Sequence, residues 1–261
     1  MTELLEDVKK IALEAGAAIM DVYESDDFNV QQKGDDSPLT KADLAAHKVI
    51  CDGLRSLETQ YPIISEESSD ISWEQRKHWC RYWLVDPLDG TKEFIKKNGE
   101  FTVNIALIDG GKPIMGVVFA PALSKSYVGV VGQGAWTETA EGVNPISAKP
   151  HQPGELWKVV GSRSHQSPEI QNLLAQLEGE TELVAMGSSL KLCLVAEGEA
   201  HLYPRLGPTS EWDTGAAHAV ALAAGADVTV LDAADPLNSD AEALTYNQKE
   251  SVLNPYFLVS A

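Results

Sequence analysis

Cysteine is scarce in this chain. There are three, Cys51, Cys80 and Cys193, in 261 residues. They are odd in number, far apart and in no CxxC pair. That excludes a disulfide frame and a cysteine zinc site, and it fits reduced thiols in the cytoplasm. Positive charge is short as well: 20 Lys and Arg stand against 39 Asp and Glu, a formal net charge of −19. Such a surface repels DNA, RNA and anionic lipid, so a nucleic-acid polymer is excluded as a partner. A small anion can bind only where local cations overcome the global field. Long apolar runs are missing. The stretch 216–226 is interrupted by His218 and Gly225 and is too short to span a bilayer, so no integral membrane segment is expected. The opening MTELLEDVKK lacks the order of a secretory signal. There is no fixed-period repeat and no low-complexity segment.

Familiar catalytic patterns are missing too. GSRSH at 161–165 lacks the GxSxG elbow, no Walker A loop occurs, and the histidines form no HExxH pair. The acids are not in EF-hand register.

What is present is ample core material, since 44% of the residues are hydrophobic. Apolar spacing predicts helices over 3–23 and 41–57, the second capped by Thr40. Strands are expected at 28–32, 61–65, 81–85, 101–108, 114–120 and 127–132, a loop at 34–38, a helical segment at 72–79, and a tight turn at Gly110-Gly111. The second half alternates: strands at 158–161, 183–186, 201–203 and 228–231, with helices at 168–177, 190–196 and 212–224. Residues 1–150 thus read as an α+β half and 151–261 as an α/β half. The two are closely packed into one functional unit, with a ligand site between them.

Polar motifs sit where apolar strands end. Glu66-Glu67 follows YPIIS, Asp86 and Asp89 follow RYWLV, Asp213 opens WDTGAAHAV, and Asp43 lies in TKAD at a helix start. Singly, each has an ordinary reading. Asp213 is a helix cap, Asp43 a first-turn acid, Glu66-Glu67 solvated charge, and Asp86 to Gly90 a polar turn. Together they point elsewhere. Two carboxylates three apart in a proline-fixed turn face one point, with the Leu88 carbonyl between them. That is half a coordination sphere for a hard cation such as Mg²⁺. Gly90-Thr91 then reads as a helix start whose free N–H groups attract phosphate. Gly187 before Ser188 offers similar backbone access. Metal ligands beside an anion site suggest a metal-assisted phosphatase.

SEE at 65–67, VDPLDGTKEF at 85–94 and WDTGAAHAV at 212–220 resemble the inositol monophosphatase family, and the likeness runs almost end to end. KEFIKKNGEFTVNIALI and GSSLK resemble its bacterial branch that acts on bisphosphorylated nucleotides in sulfur assimilation. The resemblance implies a layered α-β-α-β-α sandwich. It implies two or three Mg²⁺ ions on Glu66, Asp86, the Leu88 carbonyl, Asp89 and Asp213, with Glu67 supporting from behind. Asp43 and Thr91 match the pair that activates the attacking water. Gly90, Thr91, Asp213, His165, Gly187, Ser188, Lys191 and Arg205 are the expected substrate contacts. The implied reaction converts adenosine 3′,5′-bisphosphate to AMP and phosphate and is sensitive to Li⁺. Two rivals stand beside it: an inositol monophosphatase or other small sugar-phosphate phosphatase, and a non-catalytic acidic module that binds metal or nucleotide. The expected location is cytoplasmic, and the resemblance allows a loose association with the inner membrane.

Overall fold

The computed structural model describes residues 2–25, 28–32, 38–68, 71–161, 168–232 and 234–261. Helix α1 (Thr2–Ser25) buries Leu5, Val8, Ile11, Ala15 and Ile19 along one stripe. A two-residue strand β1 (Gln31–Gln32) pairs antiparallel with β2 (Pro38–Leu39), so the strand expected at 28–32 is shorter. Of the loop expected at 34–38, residues 34–37 lie outside the described residues. Helix α2 (Lys41–Ser56) presents Ala42, Ala46, Ile50 and Leu54 to α1 and the sheet beneath.

That sheet has seven strands in chain order: β3 (Ile63–Ser65), β4 (Arg81–Asp89), β5 (Thr102–Asp109), β6 (Lys112–Ala120), β7 (Lys125–Val130), β8 (Gly134–Thr139) and β9 (Gly142–Ile146). β3 and β4 run parallel, and the other neighbours are antiparallel. Successive side chains alternate between faces, as a pleated strand requires. Trp83, Val85, Val103, Ile105 and Val117 meet α1 and α2, whereas Tyr82, Leu84, Ala106 and Val118 face the opposite core. β8 and β9 were not anticipated. β9 is an exposed edge carrying Pro145, where a missing N–H breaks no ladder and no buried face imposes an apolar period.

Two short helices, α3 (Trp73–Arg76) and α4 (Thr91–Ile95), flank β4. Beyond residue 150 come β10 (Trp157–Gly161), α5 (Pro168–Gln176), β11 (Thr181–Ala185), α6 (Leu190–Ala196), β12 (Leu202–Arg205), α7 (Glu211–Ala223), β13 (Asp227–Val230) and β14 (Phe257–Ser260). The strands form a second sheet in the order β11-β10-β12-β14-β13. The simple α/β reading needs correction here. β14 was not expected, and by pairing antiparallel with β12 and β13 it makes the sheet mixed.

Helices α6 and α7 lie between the two sheets, and Leu173 of α5 closes the outer face of the second with Val159, Leu202 and Leu258. The layers therefore run α-β-α-β-α. The apolar run at 216–226 is explained by this position: α7 is buried from Thr214 to Ala221, which suits a helix enclosed on all sides. Among the described residues no helix is long and apolar enough to cross a membrane. Nothing in the described fold therefore supports the loose inner-membrane association.

Candidate active site

The acids meet at one end of the large sheet. β4 does not end at Val85, as expected, but continues to Asp89. Its pairing with β5 slips between Asp86 and Asp89. That bulge accommodates Pro87, which has no ladder hydrogen to give, and re-aims the neighbouring side chains. Asp86 Oδ1 accepts Leu88 N–H at 3.0 Å, fixing the turn. Gly90 follows at φ 93°. A Cβ there would stand 3.0 Å from the Glu100 carbonyl and 3.3 Å from Ser188, so only glycine fits. The helix behind it, α4, has five residues and supplies little dipole. The anion-attracting helix start thus reduces to the Gly90 and Thr91 backbone.

Two capping boxes present the remaining acids. Asp43 Oδ2 accepts Thr40 N at 2.8 Å and Thr40 Oγ1 at 2.6 Å, and Thr91 Oγ1 donates to its other oxygen at 3.3 Å. Asp213 Oδ2 accepts Ser210 N at 2.8 Å. Ser210 is the N-cap of α7 and Asp213 stands three residues in, which corrects the simple cap reading. Glu66 begins a 3₁₀ turn directly after β3.

These elements enclose a cavity of about 420 Å³, lined by Glu66, Asp86, Leu88, Asp89, Gly90, Thr91, Lys92, Glu93 and Asp213, with Pro38, Trp212 and Leu253 among its apolar walls. A smaller one of about 150 Å³ adjoins it, sharing Asp89, Gly90, Glu93, Thr209 and Asp213 and adding Ser188, Ser189, Lys191, Tyr203 and Arg205. Lys191 Nζ donates to the Ser188 carbonyl at 2.9 Å. Arg205 donates to the carbonyls of Gly207 at 3.2 Å and Pro208 at 2.8 Å.

The electrostatics are those of acids crowded out of water. Burial raises Asp86 well above the ordinary carboxylate range, reinforced by Glu66, Asp89 and Asp213, and Glu66 stands within hydrogen-bond reach of it. Burial lifts Asp89 to about 6 against the opposing pull of Lys191 and the Ser189 N–H, with Glu66 and Glu93 adding to the rise. Asp213 reaches about 8 through burial and Asp89, opposed by the Ser210 N–H and Arg205. Among the described residues no three acidic, histidine or cysteine side chains are drawn into a closed ligating cluster. An all-oxygen set of carboxylates and a carbonyl, in which Asp86, Asp89 and Asp213 are raised by burial and neighbouring charge, fits a hard divalent cation.

Of the expected substrate contacts, Gly90, Thr91, Ser188, Lys191, Arg205 and Asp213 line these cavities. Gly187 does not. A Cβ there would lie 2.8 Å from Glu93 Cγ and 2.9 Å from the Glu100 carbonyl, so that glycine serves packing. Glu67 sits beside Glu66 but lines neither cavity. His165 lies outside the described residues. Glu93 and Thr209, shared by both cavities, went unnoticed. Glu93 is written inside the DGTKEF motif, but its direction needs the fold.

Five alternating layers around an acidic, oxygen-lined cavity are the architecture of the inositol monophosphatase-like hydrolases. The chain belongs to the inositol monophosphatase family, whose sequence profile matches residues 1–256. It is 52% identical over 258 residues to the 3′(2′),5′-bisphosphate nucleotidase CysQ of Escherichia coli strain K12, covering 98% of this chain and 99% of that one. The CysQ of Haemophilus influenzae is 34% identical over 258 residues, covering 98% of this chain and 92% of its own. The crystal structure of CysQ from Bacteroides thetaiotaomicron superposes with a TM-score of 0.84 at 40% identity, covering 99% of this chain and 97% of that one. The inositol monophosphatase from Anabaena shares the fold, with a TM-score of 0.71 at 22% identity over 100% of this chain and 90% of that one.

Proposed function

We propose that this chain is a Mg²⁺-dependent phosphatase that removes the 3′-phosphate of adenosine 3′,5′-bisphosphate, giving AMP and phosphate. One observation carries the reading: a cavity walled by Glu66, Asp86, Leu88, Asp89 and Asp213 shares its Asp89 and Asp213 wall with one flanked by Lys191 and Arg205. The first suits two or three cations and a scissile phosphate, the second a further anionic group. The end-to-end likeness to enzymes called 3′(2′),5′-bisphosphate nucleotidase supports the choice of substrate. The halves 1–150 and 151–261 act as one unit, with Ser189 of the second bonding Asp89 of the first.

When bound, Mg²⁺ supplies positive charge that neutralises the phosphate and makes water more acidic. The chain's own groups do the rest. Thr91 Oγ, its proton directed to Asp43, offers lone pairs to an incoming water and orients it. The Gly90 and Thr91 backbone approaches the phosphate, while Lys191 and Arg205 hold the other end of the substrate. Ser188 and Asp213 border the ribose. The three cysteines are unpaired, which supports a cytoplasmic setting.

A phosphate-release assay on adenosine 3′,5′-bisphosphate, inositol 1-phosphate and fructose 1,6-bisphosphate tests this, with Mg²⁺ present, absent and challenged by Li⁺. Preferred turnover of the nucleotide, lost without Mg²⁺, is expected. Lys191→Ala should raise the nucleotide's KM by about 10–100-fold, the worth of one charge-assisted contact of 1.5–3 kcal/mol. Turnover of the inositol ester alone would overturn the substrate, and Mg²⁺-independent turnover the chemistry.

A further inference from the structure

Behind Asp213 lies a buried polar network that the proposed reaction does not use. Glu211, two residues earlier, is 2% exposed, and both its oxygens accept Asn247 N–H, at 3.0 and 2.9 Å. Asn247 holds φ at 54°, a left-handed conformation uncommon outside glycine. Its side chain exchanges two bonds with Arg76: Nη1 donates to Oδ1 at 2.6 Å, and Nδ2 donates to the Arg76 carbonyl at 2.7 Å. Arg76 is itself 4% exposed and also donates to the carbonyls of Lys249 and Glu250. Farther along the same loop, Glu211 N–H donates to the Val252 carbonyl at 2.8 Å, and Asn254 Nδ2 donates to the Ser210 carbonyl at 2.9 Å.

These bonds converge on residues 209–211, the turn whose Ser210 N–H orients the Asp213 carboxylate. An anchor serving stability alone is made more cheaply from apolar groups, because a buried guanidinium loses its hydration. A fully bonded polar network instead fixes one geometry. Fixed geometry is what a side chain at a catalytic cavity needs, to within a fraction of an ångström.

We propose that Arg76 is a positioning residue for Asp213, acting through Asn247 and Glu211 on the first turn of α7. The inference rests on the reading of Asp213 as a cation ligand, and the test separates the two. Asn247→Gly keeps the left-handed backbone and the N–H to Glu211 but deletes both side-chain bonds to Arg76. Arg76→Lys keeps the charge and loses the fork. Mg²⁺ binding to each full-length variant, without substrate, is measured by titration calorimetry beside wild type and Asp213→Asn. Turnover is measured across Mg²⁺ and nucleotide concentrations.

Both variants should bind Mg²⁺ about tenfold more weakly, as expected when an arranged ligand is displaced by a fraction of an ångström. The Mg²⁺ needed for half-maximal turnover should rise in step, with the nucleotide KM at saturating Mg²⁺ nearly unchanged. If both variants melt earlier yet bind Mg²⁺ like wild type while Asp213→Asn binds weakly, Arg76 is only an anchor and the proposal fails. If Asp213→Asn also binds like wild type, the reading of Asp213 fails and takes this inference with it. Should Arg76→Lys not fold, Asn247→Gly alone decides.

Discussion

Thr91 Oγ1 donates to Asp43 Oδ1 across 3.3 Å, joining residues 48 positions apart in the chain. The other Asp43 oxygen is already taken by the backbone and hydroxyl of Thr40. One carboxylate thus has a structural edge and a chemical edge. Thr91→Val keeps the shape and removes the hydroxyl, so kcat should fall about 10²–10⁴-fold, the usual worth of a placed acid–base group. Thr91→Ser should keep most of the activity. Asp43→Asn should lose a similar factor and also about 1 kcal/mol of stability, because it weakens the α2 cap. Steady-state kinetics and thermal melts on the three variants check this. Full activity in Thr91→Val would remove the pair from the reaction.

The crowded carboxylates make a second expectation. Burial, with the charge of neighbouring carboxylates, raises Asp86, Asp89 and Asp213 above their ordinary range. A carboxyl raised in the folded state binds its proton more tightly there than in the unfolded chain. Its stabilising contribution is therefore complete below the unfolded value near 4 and lost as pH rises through about 6 for Asp89 and about 8 for Asp213. Chelator-treated protein should lose melting temperature between pH 4 and 8, and Mg²⁺ should restore it. Asp89→Asn removes one charge. Its metal-free form should melt above wild type, gain less from Mg²⁺, and have lost turnover. A lower metal-free melting temperature in Asp89→Asn would contradict the repulsion.

The main carboxylates were legible because their spacing is local: Asp86, Leu88 and Asp89 are contiguous, and each of the others opens or closes a recognisable element. Their surroundings were less so. A β-bulge is a slip between two strands, so nothing inside RYWLVDPLD shows that β4 continues to Asp89. Ser210 and Asp213 share a capping box, yet apolar spacing alone placed the helix start at Trp212. Strand β14 is four residues at the end of the chain, and its partners β12 and β13 are fixed only by the tertiary fold. The Arg76–Asn247 bonds span 171 positions, a separation that local patterns do not encode.

Close contact between α7 and the large sheet depends on two glycines. A Cβ at Gly116 would stand 2.1 Å from the Ala216 carbonyl oxygen, and one at Gly129 would stand 2.5 Å from Val220 Cα. Both obstacles are backbone, so a rotamer change cannot relieve them. Gly116→Ala should cost about 1–3 kcal/mol or more as an overpacked site. It should also push α7 outward three residues from Asp213. Well below its melting temperature the variant should still lose turnover by about 10–100-fold, from misplacement of the site. A variant that melts earlier but keeps wild-type kcat would show that the helix re-seats without disturbing Asp213.

His218 lies deeper on the same helix, 1% exposed. Its Nδ1 meets Tyr246 OH at 2.8 Å, and that hydroxyl donates to Thr214 Oγ1 at 3.2 Å. Burial lowers the imidazole from 6.5 to about 3, so it folds neutral. Between those values the unfolded chain carries a proton on this group that the folded chain lacks, so the His218 contribution to stability rises with pH there, opposing that of the raised carboxylates. The gain is complete above pH 6.5 and lost as pH falls toward 3, with a slope of at most about 1.4 kcal/mol per pH unit. His218→Gln removes this titration and leaves every other acid and base in common. The difference in urea unfolding free energy between wild type and His218→Gln should be constant above pH 7. It should then shift steadily in the variant's favour as pH falls from 6.5 to 4. A difference that stays flat over that range would mean the folded imidazole titrates as it does in the open chain.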